Sequence, residues 1–120
     1  MDMLYYIYIG SNRVTIDHLS KITGGMFMAV SSCNKAAKVI DGIRERYNTS
    51  ILYEESTPQK DSQNITFLHK RFPRVYIILI TEGLQKEHRK LYLQAGVNNT
   101  LSPMASEESL QQMTKFLQLR

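Results

Sequence analysis

The sequence predicts an α/β domain: a five-stranded parallel sheet with helices on both faces. Three observations predict it. Five short β-branched or aromatic runs alternate with segments of helical period. Such alternation implies right-handed crossovers, and therefore parallel strands. The strongest run, Val75-Tyr76-Ile77-Ile78-Leu79-Ile80, is apolar throughout, as expected of a strand covered on both faces.

The elements follow in order. Leu4-Tyr5-Tyr6-Ile7-Tyr8-Ile9 reads as a buried strand ending at Gly10. Val14 to Ile22 is a short helix stopped by Thr23-Gly24-Gly25. Met26 to Val30 is the second apolar run. Ala36, Ile40, Ile43 and Tyr47 then fall on one face of a 3.6-residue period, with Asn34 as the expected N-cap. Ser50 to Tyr53 is the third strand, and a helix from about Ser62 to Phe72 puts Ile65, Leu68 and Phe72 on one side, with Pro73 ending it. The fourth strand lies within Arg74 to Thr81. Leu84, His88, Leu91 and Ala95 repeat at helical spacing, and Gly96 closes that helix. Asn99 to Leu101 is the last strand. Ser106 caps the last helix, Glu107 and Glu108 suit its positive end, and Leu110, Met113, Thr114 and Leu117 form its inner face.

Composition bounds the rest. The 120 residues fit a single domain, 1–120, large enough to bury a core without disulfides or metal. Cys33 is the only cysteine, which suits a reducing, cytoplasmic setting. No apolar run approaches the roughly 18 residues that span a bilayer, and no contact with a membrane is expected. The net charge of +4 falls short of the dense basic face that direct nucleic-acid binding calls for; His69-Lys70-Arg71 with Arg74, and Lys86 with Arg89-Lys90, read as solvated helix faces. The three histidines stand at no metal-ligand spacing, so neither metal nor cofactor is expected.

In a doubly wound sheet, function gathers beyond the carboxyl ends of the strands. Those ends supply Gly10-Ser11-Asn12, Glu54, Thr81 and Ser102-Pro103. Their frame resembles the receiver domain of bacterial response regulators. In Ile51-Leu52-Tyr53-Glu54, followed by Pro58 and Asp61, the spacing matches the family's third strand and loop and puts Glu54 at the phosphoacceptor position. Ile77-Ile78-Leu79-Ile80-Thr81 resembles its fourth strand, and Ala95-Gly96-Val97-Asn98-Asn99 its Ala-Gly-Ala-Asp-Asp segment. The resemblance covers the whole chain and implies a flavodoxin-like sheet in the order 2-1-3-4-5.

The departures bear on function. The family's acidic pair after the first strand, which helps hold Mg²⁺, is replaced by neutral Gly10, Ser11 and Asn12. Glu54 carries its carboxylate one bond, about 1.5 Å, further out than Asp would. Ser102 stands where the family has Lys. Only Thr81 survives of the phosphate-handling groups. Glu54 either imitates the phosphorylated state by bonding Thr81 or simply faces water, and Glu55 is expected to be solvated on the opposite side of the strand end.

The resemblance therefore implies a non-catalytic pseudo-receiver, not an enzyme, that has lost Mg²⁺-dependent phosphorylation. It would work through protein contacts, either with a second copy in a homodimer or with an attached effector such as a sugar transferase or transcription factor, as the front part of a longer protein. Its interaction face would carry Leu84, His88, Tyr92, Leu93, Thr100, Met104 and Phe116. The alternative is an atypical receiver that still acts as a phosphorelay switch.

Overall fold

A computed structural model describes residues 3–23, 26–44 and 46–118, with the backbone alone at 47 and 116–118. Strands β1 (Tyr5–Ile9), β2 (Met26–Val30), β3 (Thr49–Glu54), β4 (Tyr76–Ile80) and β5 (Asn99–Leu101) alternate with helices α1 (Arg13–Ile22), α2 (Cys33–Asp41), α3 (Pro58–Arg71), α4 (Lys86–Ala95) and α5 (Glu107–Gln118). All strand pairs are parallel and the order is β2-β1-β3-β4-β5, as the sequence predicts.

Strand alternation sorts the core into two layers. Ile7, Ile9, Ile51, Tyr53, Ile77 and Leu79 face Ala36 and Ile40 of α2, Ile65 and Leu68 of α3, and Tyr92 and Ala95 of α4. Tyr6, Tyr8, Leu52, Ile78 and Ile80 face Leu19 of α1 and Leu110 of α5. Burial of both faces explains why β4 is apolar from Ile77 to Ile80 and why the middle of β3, Ile51 and Leu52, is apolar.

Three helices differ from expectation, each for a local reason. α2 begins one residue after Ser32, not Asn34: the Ser32 hydroxyl accepts the Lys35 N–H at 3.2 Å. It stops at Asp41 with Gly42 as C-cap, so Ile43 lies beyond it and residue 47 falls in a 3₁₀ turn, Arg46–Asn48. α3 starts four residues early because Pro58 occupies its first position, where a missing N–H costs nothing. α4 starts at Lys86, so Leu84 precedes it, and its buried side chains are Tyr92 and Ala95 while Leu91 stays 37% exposed. In α5 the Ser106 hydroxyl accepts the Ser109 N–H, and Leu110 and Thr114 are buried as expected; the Leu117 side chain lies outside the described residues.

Gly96 is a turn where backbone and packing together demand glycine. Its φ is +125°, and a Cβ there would meet His69 Cγ at 2.6 Å. The turn lets Asn98 pair with Ile77 twice, N–H to carbonyl and side-chain oxygen to N–H, each at 2.8 Å, which starts β5 in register. Gly96→Ala should cost roughly 1–3 kcal/mol in urea denaturation; a loss under about 0.5 kcal/mol would show that the turn relaxes freely.

Candidate functional site

The sheet order reverses between β1 and β3, so the crevice lies where their carboxyl ends part. Three donors converge there on Glu54, the last residue of β3. The Tyr8 hydroxyl donates to Oε1 at 2.6 Å, the Asn12 N–H to the same oxygen at 2.9 Å, and the Ser11 N–H to Oε2 at 3.3 Å. The side chain lies across Gly10: a Cβ at that position would come within 2.6 Å of Glu54 Cβ and Cδ and 2.7 Å of Oε1. Asn12 in turn caps α1, its side-chain oxygen accepting the Thr15 N–H at 3.2 Å. The loop after β1 is thus tied to the helix on one side and to the carboxylate on the other.

Glu54 is half-exposed, and its carboxylate is taken up by these donors and not by Thr81. The Thr81 hydroxyl donates instead to Glu55 Oε1 at 2.7 Å and accepts the Gly83 N–H at 3.2 Å. Glu55 is not merely solvated: the chain leaves the sheet after Glu54, and the Glu55 N–H donates to the Ile80 carbonyl at 3.0 Å, which holds the side chain beside β4. Ser102 stands apart. It is exposed, its hydroxyl accepts the Met104 N–H at 3.2 Å within its own turn, and Pro103 and Met104 line the cleft in its place. The cleft, of about 580 Å³, has Glu54, Glu55 and Glu82 as its charged lining groups and no cation among the described residues.

A second carboxylate lies deeper. Asp61, on the first turn of α3, is 1% exposed. It accepts the Tyr53 hydroxyl at 3.1 Å, the Tyr92 hydroxyl at 2.9 Å and the Ser56 N–H at 2.7 Å, and Asn64 donates to the Tyr53 oxygen at 3.0 Å. One buried charge thus joins β3, the loop after it, α3 and α4. Sequence spacing singled out Asp61 only as a frame marker. The signal for its role was present: tyrosines inside apolar layers need acceptors for their hydroxyls, and Tyr8, Tyr53 and Tyr92 find theirs on the two acids. Beside this cluster the half-buried Cys33 thiol is pushed up by burial and then by the Asp61 charge, which keeps it in the unreactive thiol form.

The expected interaction face is only partly exposed. Tyr92 is buried at 1% exposure, held by Asp61, and does not belong to it. Leu84 packs on the core and His88 is half-buried. Leu93 and Met104 are each 59% exposed and Thr100 is exposed, while the Phe116 side chain lies outside the described residues.

Solved structures share this fold. A CheY-like protein (TadZ) from Pseudomonas aeruginosa PAO1 superposes with a TM-score of 0.80 at 13% identity, covering 100% of this chain and 96% of that one. A response regulator from Thermotoga maritima gives 0.84 at 10% identity, over 99% and 100%. The signal receiver domain of an HD domain-containing protein from Pseudomonas fluorescens Pf-5 gives 0.79 at 13% identity, over 98% and 88%. No protein-family model and no curated protein matches the sequence. The chain has the receiver fold.

That fold implies Mg²⁺ in the cleft, and the residues present do not fit it. Glu54 is committed to three donors and Glu55 to Thr81. The strand-end residues Gly10, Ser11 and Asn12 bring no carboxylate, and no group of three or more His, Cys, Asp or Glu among the described residues is placed to hold a metal ion.

Burial, followed by hydrogen bonds to Glu54 and Asp61, raises the Tyr8 and Tyr92 hydroxyls far above the ordinary phenol value; Tyr53 is raised chiefly by burial. Unfolded tyrosine ionises near pH 10, so above that pH the unfolded chain binds fewer protons than the folded one. Stability should be unaffected below about pH 10 and fall by about 1.4 kcal/mol per pH unit per such tyrosine above it. Tyrosinate absorbance should show these three of the seven tyrosines ionising only together with alkaline unfolding. Ionisation of all seven in the folded protein near pH 10 would contradict the bonding.

Proposed function

We propose that the chain is a non-catalytic pseudo-receiver: a regulatory interaction domain that keeps the receiver scaffold and has given up phosphorylation on an acidic side chain. The observation that carries the proposal is the binding of the Glu54 carboxylate by Tyr8, Ser11 and Asn12. Phosphoryl transfer in such a cleft rests on positioning and on cations that neutralise the transferred group. Here the acceptor oxygens already carry donors, and the lining charge is negative. An anionic phosphodonor meets repulsion where a working site supplies attraction.

What the cleft does instead is structural. Glu54 fixes the loop after β1, and Thr81 is fixed by Glu55. The two strand ends that would rearrange on phosphorylation are each held by an internal carboxylate. A domain held in one state is useful as a docking surface. Leu93 on α4 and Met104 before α5 leave apolar area open on the side expected for contacts. The domain would act on an attached effector or on a second copy of itself. The Pseudomonas fluorescens domain of the same fold is part of a protein with an HD domain, which supports the first arrangement.

Incubation with acetyl phosphate and Mg²⁺, followed by intact mass under mild conditions, tests the proposal. The mass should stay unchanged, and the Glu54→Asp variant should also remain unmodified because the neutral loop still lacks a metal ligand. A stoichiometric phosphoryl adduct on the wild-type chain would establish the phosphorelay alternative.

A further inference from the structure

At the opposite end of the sheet, before β3 and β4, Arg44, Arg46 and Arg74 line a hollow with Asp41, and Arg71 pairs with that acid. Arg71 donates to Asp41 Oδ2 at 2.6 Å, and Arg46 lies 3.8 Å from Asp41 Oδ1. Both guanidinium groups also sit against the buried Phe72 ring, 5.2 and 5.4 Å from its centroid. Asp41 and Phe72 thus hold two arginines in fixed positions, which removes much of the side-chain entropy an incoming ligand would otherwise have to overcome.

Arg44 and Arg74 complete the cluster. Their guanidinium groups have no ion-pair or hydrogen-bond partner among the described residues. With Asp41, Ile43 and Arg46 they line a hollow of about 490 Å³. That is the size of a small-ligand site, typically about 300–1,000 Å³. Among the described residues, three guanidinium groups line the hollow against one carboxylate, an excess of two positive charges. The lining cations are all arginine, whose planar fork binds phosphate oxygens in pairs. The charge is gathered in a hollow rather than spread along a stripe, which suits a compact anion better than a nucleic-acid backbone.

We infer that this hollow is a binding site for a small diphosphate-bearing anion, with Arg44 and Arg74 as its open ligands and Arg46 as a third held in place by Asp41 and Phe72. The site lies away from Glu54 and is independent of the proposal for the cleft. The pairing of Arg71 with Asp41 offsets the charge of the one acid that lines the hollow.

Titration with inorganic pyrophosphate at about 0.15 M salt, where long-range attraction is screened, tests the site by calorimetry and by amide chemical shifts. Binding should be saturable, with shifts centred on 41–46 and 71–74, and inorganic phosphate should bind at least about tenfold more weakly. Arg44→Gln/Arg74→Gln should weaken pyrophosphate binding at least tenfold. Lys86→Gln/Arg89→Gln, which removes the same charge from the exposed side of α4, should leave it unchanged. The absence of saturable binding, equal weakening in both variants, or wild-type shifts centred elsewhere would overturn the inference. Duplex DNA that displaced pyrophosphate and bound more tightly would do so as well, in favour of a nucleic-acid surface. The wild-type shift map does not depend on the folding of any variant.

Discussion

A carboxylate laid across a glycine organises the functional end of this domain. Glu54 can reach Tyr8, Ser11 and Asn12 because Gly10 presents no Cβ, and Gly10 can turn as it does because nothing but that side chain lies over it. The contact joins β1, the following loop and β3 at the point where the sheet order reverses. In a working receiver this volume is where metal and phosphoryl group would meet. Here the Glu54 carboxylate is held by internal donors, and the Thr81 hydroxyl donates to a second carboxylate, that of Glu55.

The same device recurs one layer deeper. Asp61 draws in two tyrosine hydroxyls and a backbone N–H, and so fixes α3 and α4 against β3. A buried carboxylate is tolerable only with such full coordination, since removing one partner leaves an uncompensated charge or hydroxyl. The two networks share no side chain, yet in both a carboxylate gathers donors from separate elements. Their common effect is to tie β1, β3, α3 and α4 together at the carboxyl end of the sheet.

Much of this was legible in the sequence. The apolar runs at 5–9 and 76–80 mark strands because burial on both faces leaves no ambiguity of pattern, while the edge strands at 26–30 and 99–101 are mostly exposed and are read from their place in the alternation. Helix boundaries were harder. Periodicity ran on through Ile43 and Tyr47, although Gly42 ends α2, and it missed the start of α3 because Pro58 serves as its opening residue and not as a break. Spacing placed Glu54 at the acceptor position but could not show its bonding. Strand alternation left Glu55 as a solvated residue and could not show that it accepts the Thr81 hydroxyl. Tyr92 read as an exposed contact residue, yet an aromatic ring with a polar tip can go wholly inside when an acid such as Asp61 waits for it.

The central claim is that the Glu54 carboxylate at the mouth of the cleft is already held by the protein's own donors. Amide chemical shifts during titration with Mg²⁺ and trifluoroberyllate, a phosphoryl mimic, test it most directly. The account predicts that the signals of Ser11, Asn12, Glu55 and Thr81 stay in place at millimolar Mg²⁺. A saturable set of shifts centred on those residues would contradict it, because Glu54 would then have released its donors to admit a metal and a phosphoryl group.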